Sequence, residues 1–97
     1  MSGPVMKRHL HTLGIPAQRV VRRRKTGEYQ ADFFVPLSPG EMLTHKQAVL
    51  PSQAYAAMLC ERIPDIRITH VGELVTNWRD NPADHVRYEA FVSFRVE

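Results

Sequence analysis

The chain contains a single cysteine, Cys60, so no disulfide can form within it. A zinc site built from cysteines and a CxxC redox pair are excluded for the same reason, because each needs at least two thiols. We interpret Cys60 as a small apolar residue within a helix.

Long apolar runs are also missing. The longest, residues 54–60, has seven residues, whereas a helix that spans a bilayer needs about 20. The sequence does not open with a basic segment followed by an apolar one, as a secretory leader does. We therefore expect a cytoplasmic protein without a membrane partner. The length of 97 residues fits one domain with a modest core, residues 1–97.

The motifs typical of nucleotide-binding loops, serine hydrolases and zinc peptidases are absent from the sequence. His9 and His11 could bind a metal ion together on a strand, where they would share one face. We predict a helix for this segment, and on a helix their side chains point about 200° apart. We assign no metal site, no cofactor and no catalytic residue. A binding protein is therefore a simpler interpretation than an enzyme.

Acidic residues are missing from the first part of the chain. Residues 1–27 hold seven lysines and arginines and no acid, whereas residues 28–97 hold six bases and ten acids. The formal charge is thus +7 in the first part and −4 in the second. Such asymmetry is typical of a surface that binds a polyanion. A basic segment that packs on an acidic surface of its own chain, or of a second copy, would have the same composition.

Alternating apolar and polar residues predict a hairpin at the end of the chain. In residues 86–96 the even positions are apolar, and residues 66–77 form the partner strand. The inward-facing residues of this partner are predicted to be Ile66, Ile68, Leu74 and Trp78. His70 and Gly72 interrupt the pattern and indicate a bulge, while turn-forming residues in 78–85 connect the strands.

An earlier hairpin is predicted from residues 19–25 and 29–35, with Thr26 and Gly27 as its turn, because glycine adopts positive φ without penalty. Its first arm carries most of the basic residues. We call this set the basic arm: Arg19, Arg22, Arg23, Arg24 and Lys25. Alternation predicts that Arg22 and Arg24 lie on one face, and Arg23 and Lys25 on the other.

Two helices are predicted as well. Pro4 is a favourable first helical residue, and Gly14 provides a stop after a segment with apolar residues on one side. Ser52 can cap a second helix whose apolar residues recur at helical spacing, and Pro64 ends it.

Short sequence matches suggest an internal duplication. Residues 15–20 resemble residues 63–68, and residues 29–31 resemble residues 88–90, in the same order. We expect an α+β fold with a four-stranded antiparallel sheet of two hairpins and one or two helices on one face. If the duplication is real, the order αββαββ is a circular permutation of the ferredoxin-like βαββαβ arrangement, which is a likeness of architecture and does not assign function.

The basic arm is the first candidate site. Guanidinium groups bind phosphates through paired planar donors, and each neutralised phosphate releases counterions. The alternative is that the arm overhangs the sheet and its charges only remain in water, where they discourage edge-to-edge pairing.

A second candidate surface contains Phe34 and Phe91, which we place on the sheet face opposite the helices, at equivalent positions of the two repeats. Exposed aromatic rings can stack on unpaired bases, or they can be buried in a homodimer. Asp32 and Glu89 beside them would repel phosphate, so we favour a homodimer for this surface.

A third candidate is a pocket between sheet and helices. His70 falls in the inward phase of its strand, and Glu73, Tyr88 and His85 are expected within reach of it. An interior histidine that forms a hydrogen bond is the simpler interpretation. A ligand-binding or catalytic pocket is the alternative.

Three functions follow from these candidates. The first is a non-enzymatic protein whose basic arm contacts nucleic-acid phosphates with little sequence specificity. The second is a homodimeric protein–protein interaction or regulatory module in which the same arm meets an acidic protein. The third is a small ligand-binding protein or enzyme with a pocket near His70.

Overall fold

Six elements follow one another in the order αββαββ. The computed structural model describes residues 1–37, 41, 43–77 and 86–97. The elements are α1 (Gly3–Thr12), β1 (Arg19–Arg22), β2 (Tyr29–Val35), α2 (His45–Arg62), β3 (Ile66–Asn77) and β4 (Val86–Val96). The α+β class and the two predicted helices are therefore confirmed.

The four strands form one antiparallel sheet, as predicted, and their order in it is β1-β2-β4-β3. In the central pair, Tyr29 lies opposite Phe94 and Val35 opposite Tyr88. When Tyr29 is matched with Tyr88, Val35 is matched with Phe94, so each of these two pairs corresponds to the other. This symmetry agrees with the proposed repeat of the inner strands. The relation to the ferredoxin-like arrangement stays a prediction.

The outer strands do not follow the same match. The sequence comparison equates Val20 with Ile68, but Val20 pairs with Ala31 and Ile68 pairs with Phe94. Since Ala31 corresponds to Ala90 and not to Phe94, the two outer strands are displaced relative to each other. The strand register therefore agrees with the duplication for β2 and β4 but not for β1 and β3.

The two helices cover one side of the sheet, which we call the helix face, and the other side is the open face. The buried apolar side chains of the helix face form one core: Met6, Leu10, Ile15, Ala17, Val20, Tyr29, Ala31, Phe33, Leu59, Ile63, Ala90, Val92 and Phe94. Phe33 stacks on Tyr55 of α2 with ring centroids 4.0 Å apart. The predicted alternation of β4 is confirmed by the burial of its even positions from 88 to 94.

The first helix is tied to the rest of the molecule at both ends. Ser2 caps it, and Pro4, predicted as the first helical residue, is its second residue after Gly3. The hydroxyl of Tyr29 donates a hydrogen bond to the carbonyl oxygen of Met1. At the other end, the Arg62 guanidinium donates to the carbonyl oxygen of Leu13 over 2.8 Å. These two bonds hold α1 against the sheet and α2.

The second helix begins earlier than predicted, at His45 and not after Ser52. Thr44 and Gln47 form a reciprocal capping box, which satisfies backbone donors at the start of the helix. Pro51 lies within the helix, where its missing N–H removes one internal hydrogen bond and its ring crowds the carbonyl group of Gln47. Ser52 is buried and its hydroxyl donates to the carbonyl oxygen of Val49 over 2.7 Å. Ser52 is therefore an interior residue of the helix and not its cap.

The predicted bulge in β3 is confirmed, and it reverses the predicted phase of the strand from His70 onward. The register passes from Ile68 opposite Phe94 to His70 opposite Ser93, which leaves Thr69 as the extra residue. His70 is exposed on the open face, so its predicted inward position is wrong. The same shift pairs Leu74 with Glu89 and not with an inward-facing residue. Trp78 lies outside the described residues.

Two leucines of α2 provide a test of the core. Leu59 is fully buried, whereas Leu50 is 59% exposed on the same helix. We expect Leu59→Ala to lower the free energy of unfolding by about 2–5 kcal/mol, because it removes buried methyl groups and leaves a cavity. Leu50→Ala, the matched control, should change it by less than about 0.5 kcal/mol. Urea unfolding followed by circular dichroism measures both, and equal effects would place the core elsewhere.

Candidate functional site

The basic arm has a shorter strand and a longer turn than predicted. β1 ends at Arg22. The Arg23 N–H donates to the carbonyl oxygen of Glu28, and the Gly27 N–H donates to that of Arg23, each over 2.8 Å. Gly27 has a φ of 70°, a left-handed conformation that favours glycine. The turn thus includes Arg24 and Lys25, so their predicted alternation as strand residues is wrong.

Arg22 and Arg23 do lie on opposite faces, as predicted. The Arg22 guanidinium lies 5.8 Å from the ring centroid of Tyr29, which belongs to the helix face. Arg23 donates to the Gln30 side-chain oxygen over 3.2 Å, and its Nε lies 4.0 Å from a carboxylate oxygen of Glu28. These contacts orient two arginines of the arm and neutralise one of them in part.

The remaining three residues of the basic arm are exposed to solvent. Within the described part of the chain, Arg19, Arg24 and Lys25 have neither a hydrogen bond nor an ion pair through their side chains. Their charges are therefore directed to water and remain available to an anionic partner.

The open face carries a second set of polar and aromatic residues. Its members with described side chains are Arg19, Val21, Arg23, Glu28, Gln30, Asp32, Phe34, Arg67, His70, Glu89, Phe91, Ser93 and Arg95, with Gly72 among them. This face is continuous with the basic arm, because Arg19 and Arg23 belong to both.

Phe34 and Phe91 both lie on the open face, as predicted, but they are not equivalent. When Tyr29 is matched with Tyr88, Phe34 corresponds to Ser93, so their predicted equivalence is wrong. Phe34 is 45% exposed. Phe91 is partly buried, because its ring extends over Gly72 of the neighbouring strand.

Gly72 is the residue that permits this position of the Phe91 ring. A Cβ on Gly72 would lie 2.6 Å from Cε1 of Phe91, which is closer than real Cβ contacts allow. Since a Cβ lies close to the backbone, the tip of the Phe91 ring lies close to the backbone of β3 at Gly72. His70 lies beside it, with ring centroids 6.4 Å apart and planes 10° apart. We call these two stacked rings of the open face the aromatic floor.

The acids near this floor differ in their exposure and in their contacts. Asp32 is only 7% exposed, and one of its carboxylate oxygens accepts a hydrogen bond from Gln30 over 3.1 Å. Glu28 accepts a hydrogen bond from the Thr69 hydroxyl over 2.8 Å and lies near Arg23. Glu89 is partly exposed and lies opposite Phe34.

Two arginines that we did not predict as site residues face each other across the sheet. Arg67 pairs with Arg95 in the register of β3 and β4, and both are exposed. Neither has an ion pair or a side-chain hydrogen bond among the described residues. Like charges directly opposite on one sheet face are destabilising. An anion bound between them would remove that repulsion.

The pocket predicted around His70 is not assembled by the described residues. His70 lies on the open face, whereas Glu73 and Tyr88 lie in the phase of the helix face, where Glu73 pairs with Ala90. His85 lies outside the described residues. The bulge at Thr69 causes this separation, because it moves His70 to the opposite side of the sheet.

The described residues contain no cluster of three or more histidine, cysteine or acidic side chains able to hold a metal ion. Within the same residues, no helix combines the length and apolarity needed to cross a membrane. Comparison of the chain with protein-family models, with curated proteins and with solved structures finds no match.

The arginine pair can be tested through stability. We expect Arg67→Glu to raise the free energy of unfolding by about 0.5 kcal/mol at low salt, because it replaces a like-charge pair by an opposite-charge pair with Arg95. Most of the gain should disappear at about 1 M salt, where the Debye length is about 3 Å. Arg8→Glu, on the exposed side of α1, changes the net charge equally and is the control. Equal gains from both variants would mean that only net charge matters.

Proposed function

We propose that the protein binds nucleic acid, and that its basic arm contacts the phosphate backbone with little sequence specificity. The observation that carries this proposal is the exposure of Arg19, Arg24 and Lys25 without ionic partners among the described residues. Arginine and lysine side chains directed to solvent from a hairpin turn can approach a polyanion without first breaking internal contacts.

Self-neutralisation is the main alternative explanation for the charge asymmetry, and the contacts give it little support. Within the described part of the chain, the acid that contacts the arm is Glu28, whose oxygen lies 4.0 Å from Arg23. This distance is at the limit of an ion pair, and an exposed pair contributes at most about 1 kcal/mol. The remaining charges of the arm support an external anionic partner.

The expectation of low specificity follows from the proposed binding through phosphates. Backbone contacts fix the position of a protein on a nucleic acid but carry no sequence information. Arg22 is held over the Tyr29 ring and Arg23 by Gln30 and Glu28, so these two are oriented by the protein itself. Arg24 and Lys25 in the turn then supply charge and not base recognition.

An acidic protein is the alternative partner for the basic arm. A homodimer through the open face is the alternative use of that surface. An acidic protein would bind the same side chains, but its affinity would depend on the shape of one surface. A nucleic acid is bound in many registers along its backbone, so its binding should follow the counterion-release law for a polyelectrolyte.

The salt dependence of binding tests the proposal. We expect labelled oligonucleotides to bind with a log–log slope against salt of about −3 or steeper. The variant Arg24→Ala/Lys25→Ala should make this slope less negative by about 1.8 on duplex DNA, because each neutralised phosphate contributes about 0.9. Fluorescence anisotropy across a salt series measures both slopes.

The matched control is Arg8→Ala/Lys46→Ala, which removes two exposed charges from the helices. This control should leave the slope nearly unchanged. If both double variants change the slope equally, binding depends on net charge and not on the arm. If the natural protein binds no oligonucleotide at moderate salt but retains an acidic protein partner, the proposal is wrong.

A further inference from the structure

The aromatic floor has the geometry of a stacking surface. The Phe91 ring lies low over Gly72, and the His70 ring is nearly parallel to it. His70 is exposed and Phe91 is partly exposed, so both rings can be reached from solvent. Every nucleic-acid base has a flat aromatic face that can stack on such rings, whatever its sequence.

Cationic side chains lie on both sides of this floor. Arg95 is four residues beyond Phe91 on β4, which corresponds to about 13 Å along a strand. It faces Arg67 on the neighbouring strand. On the other side, Arg19 lies opposite Asp32, and Asp32 lies opposite Phe91. A ligand with a base on the floor could therefore place its neighbouring phosphates near arginines in either direction.

This combination fits a single strand better than a duplex. The bases of a duplex are stacked on one another, so their faces are not available to Phe91 or His70. Unpaired bases can be turned out and stacked on protein rings while their backbone follows a positively charged surface.

A second copy of the chain fits this face less well. In a symmetric dimer residue i of one copy contacts residue j of the other, so a dimer through the open face would have to set its arginines against its own acids. Asp32 is buried and Glu28 already contacts Arg23 and Thr69. Arg19, Arg67 and Arg95 have no ionic partner among the described residues. With all described charges counted, four arginines against Glu28, Asp32 and Glu89, this face has a net charge of +1, and like net charge on two copies opposes their association.

We infer that the open face binds single-stranded nucleic acid, with bases stacked on Phe91 and His70 and phosphates held by the pair Arg67 and Arg95. This inference rests on the proposed function and extends it, because it assigns the strandedness of the ligand and a binding surface next to the basic arm.

Two variants test the aromatic floor. Phe91→Leu keeps apolar bulk but removes the aromatic face, and Gly72→Ala retains Phe91 but forces its ring away from its present position. Each should weaken binding of a single-stranded oligonucleotide by about 5-fold to 100-fold, the effect of losing one stacked base. The salt slope should not change, because no charge is removed. Binding of the same sequence as a duplex, through the basic arm, should be unaffected.

The arginine pair has a different signature. Arg67→Ala/Arg95→Ala should make the slope for single strands less negative by about 1.4, because each phosphate of a single strand contributes about 0.7. Leu50→Ala, an exposed apolar change on α2, should alter neither affinity nor slope. Circular dichroism of every variant separates loss of binding from loss of fold.

The outcomes distinguish this inference from the proposed function. If Phe91→Leu and Gly72→Ala leave single-strand binding unchanged while Arg24→Ala/Lys25→Ala weakens it, the arm alone binds nucleic acid and the inference is wrong. If the natural protein binds no oligonucleotide, the proposed function fails as well. If sedimentation finds a dimer that Phe91→Leu dissociates, and single strands do not bind, the open face belongs to a second copy.

Discussion

The antiparallel register between β2 and β4 is the constraint on which the rest of the structure depends. Because side chains alternate along a strand, this pairing sends Phe33 and Val92 into the core and, at the same time, Asp32 and Phe91 to the open face. A slip of one residue would exchange the two faces. The packing of the core and the composition of the candidate binding surface are therefore set by the same pairing.

The two faces divide stability and binding between them. Each large side chain buried against the helices contributes about 1.5–3 kcal/mol, and the core contains many such residues, including Phe33, Phe94 and Leu10. A like-charge pair such as Arg67 and Arg95 costs a fraction of that, since cross-strand pairs contribute about 0.2–1 kcal/mol. The helix face can therefore support an open face whose residues are unfavourable for folding but suited to an anionic ligand.

Local patterns predicted those parts of the fold that depend on neighbouring residues in the chain. The alternation of β4, the helix from Pro4 and the first hairpin all have short-range signals, and the structure contains each of them. The bulge was predicted near His70, but its extra residue, Thr69, was not identified, and that one residue reverses all later positions of β3. The pair of Arg67 and Arg95 required the register of two strands, which is a long-range property. The start of α2 was missed although its signal, Thr44 followed by Gln47, is present in the sequence.

The bulge in β3 also has a consequence for the solubility of the protein. β3 is a long edge strand of twelve residues, and an uninterrupted edge of that length would offer its free backbone groups to a strand of another molecule. The extra residue at Thr69 breaks the regular spacing of those groups, and Arg67 places a charge beside the break. Interruptions and charges of this kind are how natural sheets avoid edge-to-edge aggregation. The same irregularity that turns His70 outward thus helps to keep neighbouring molecules apart.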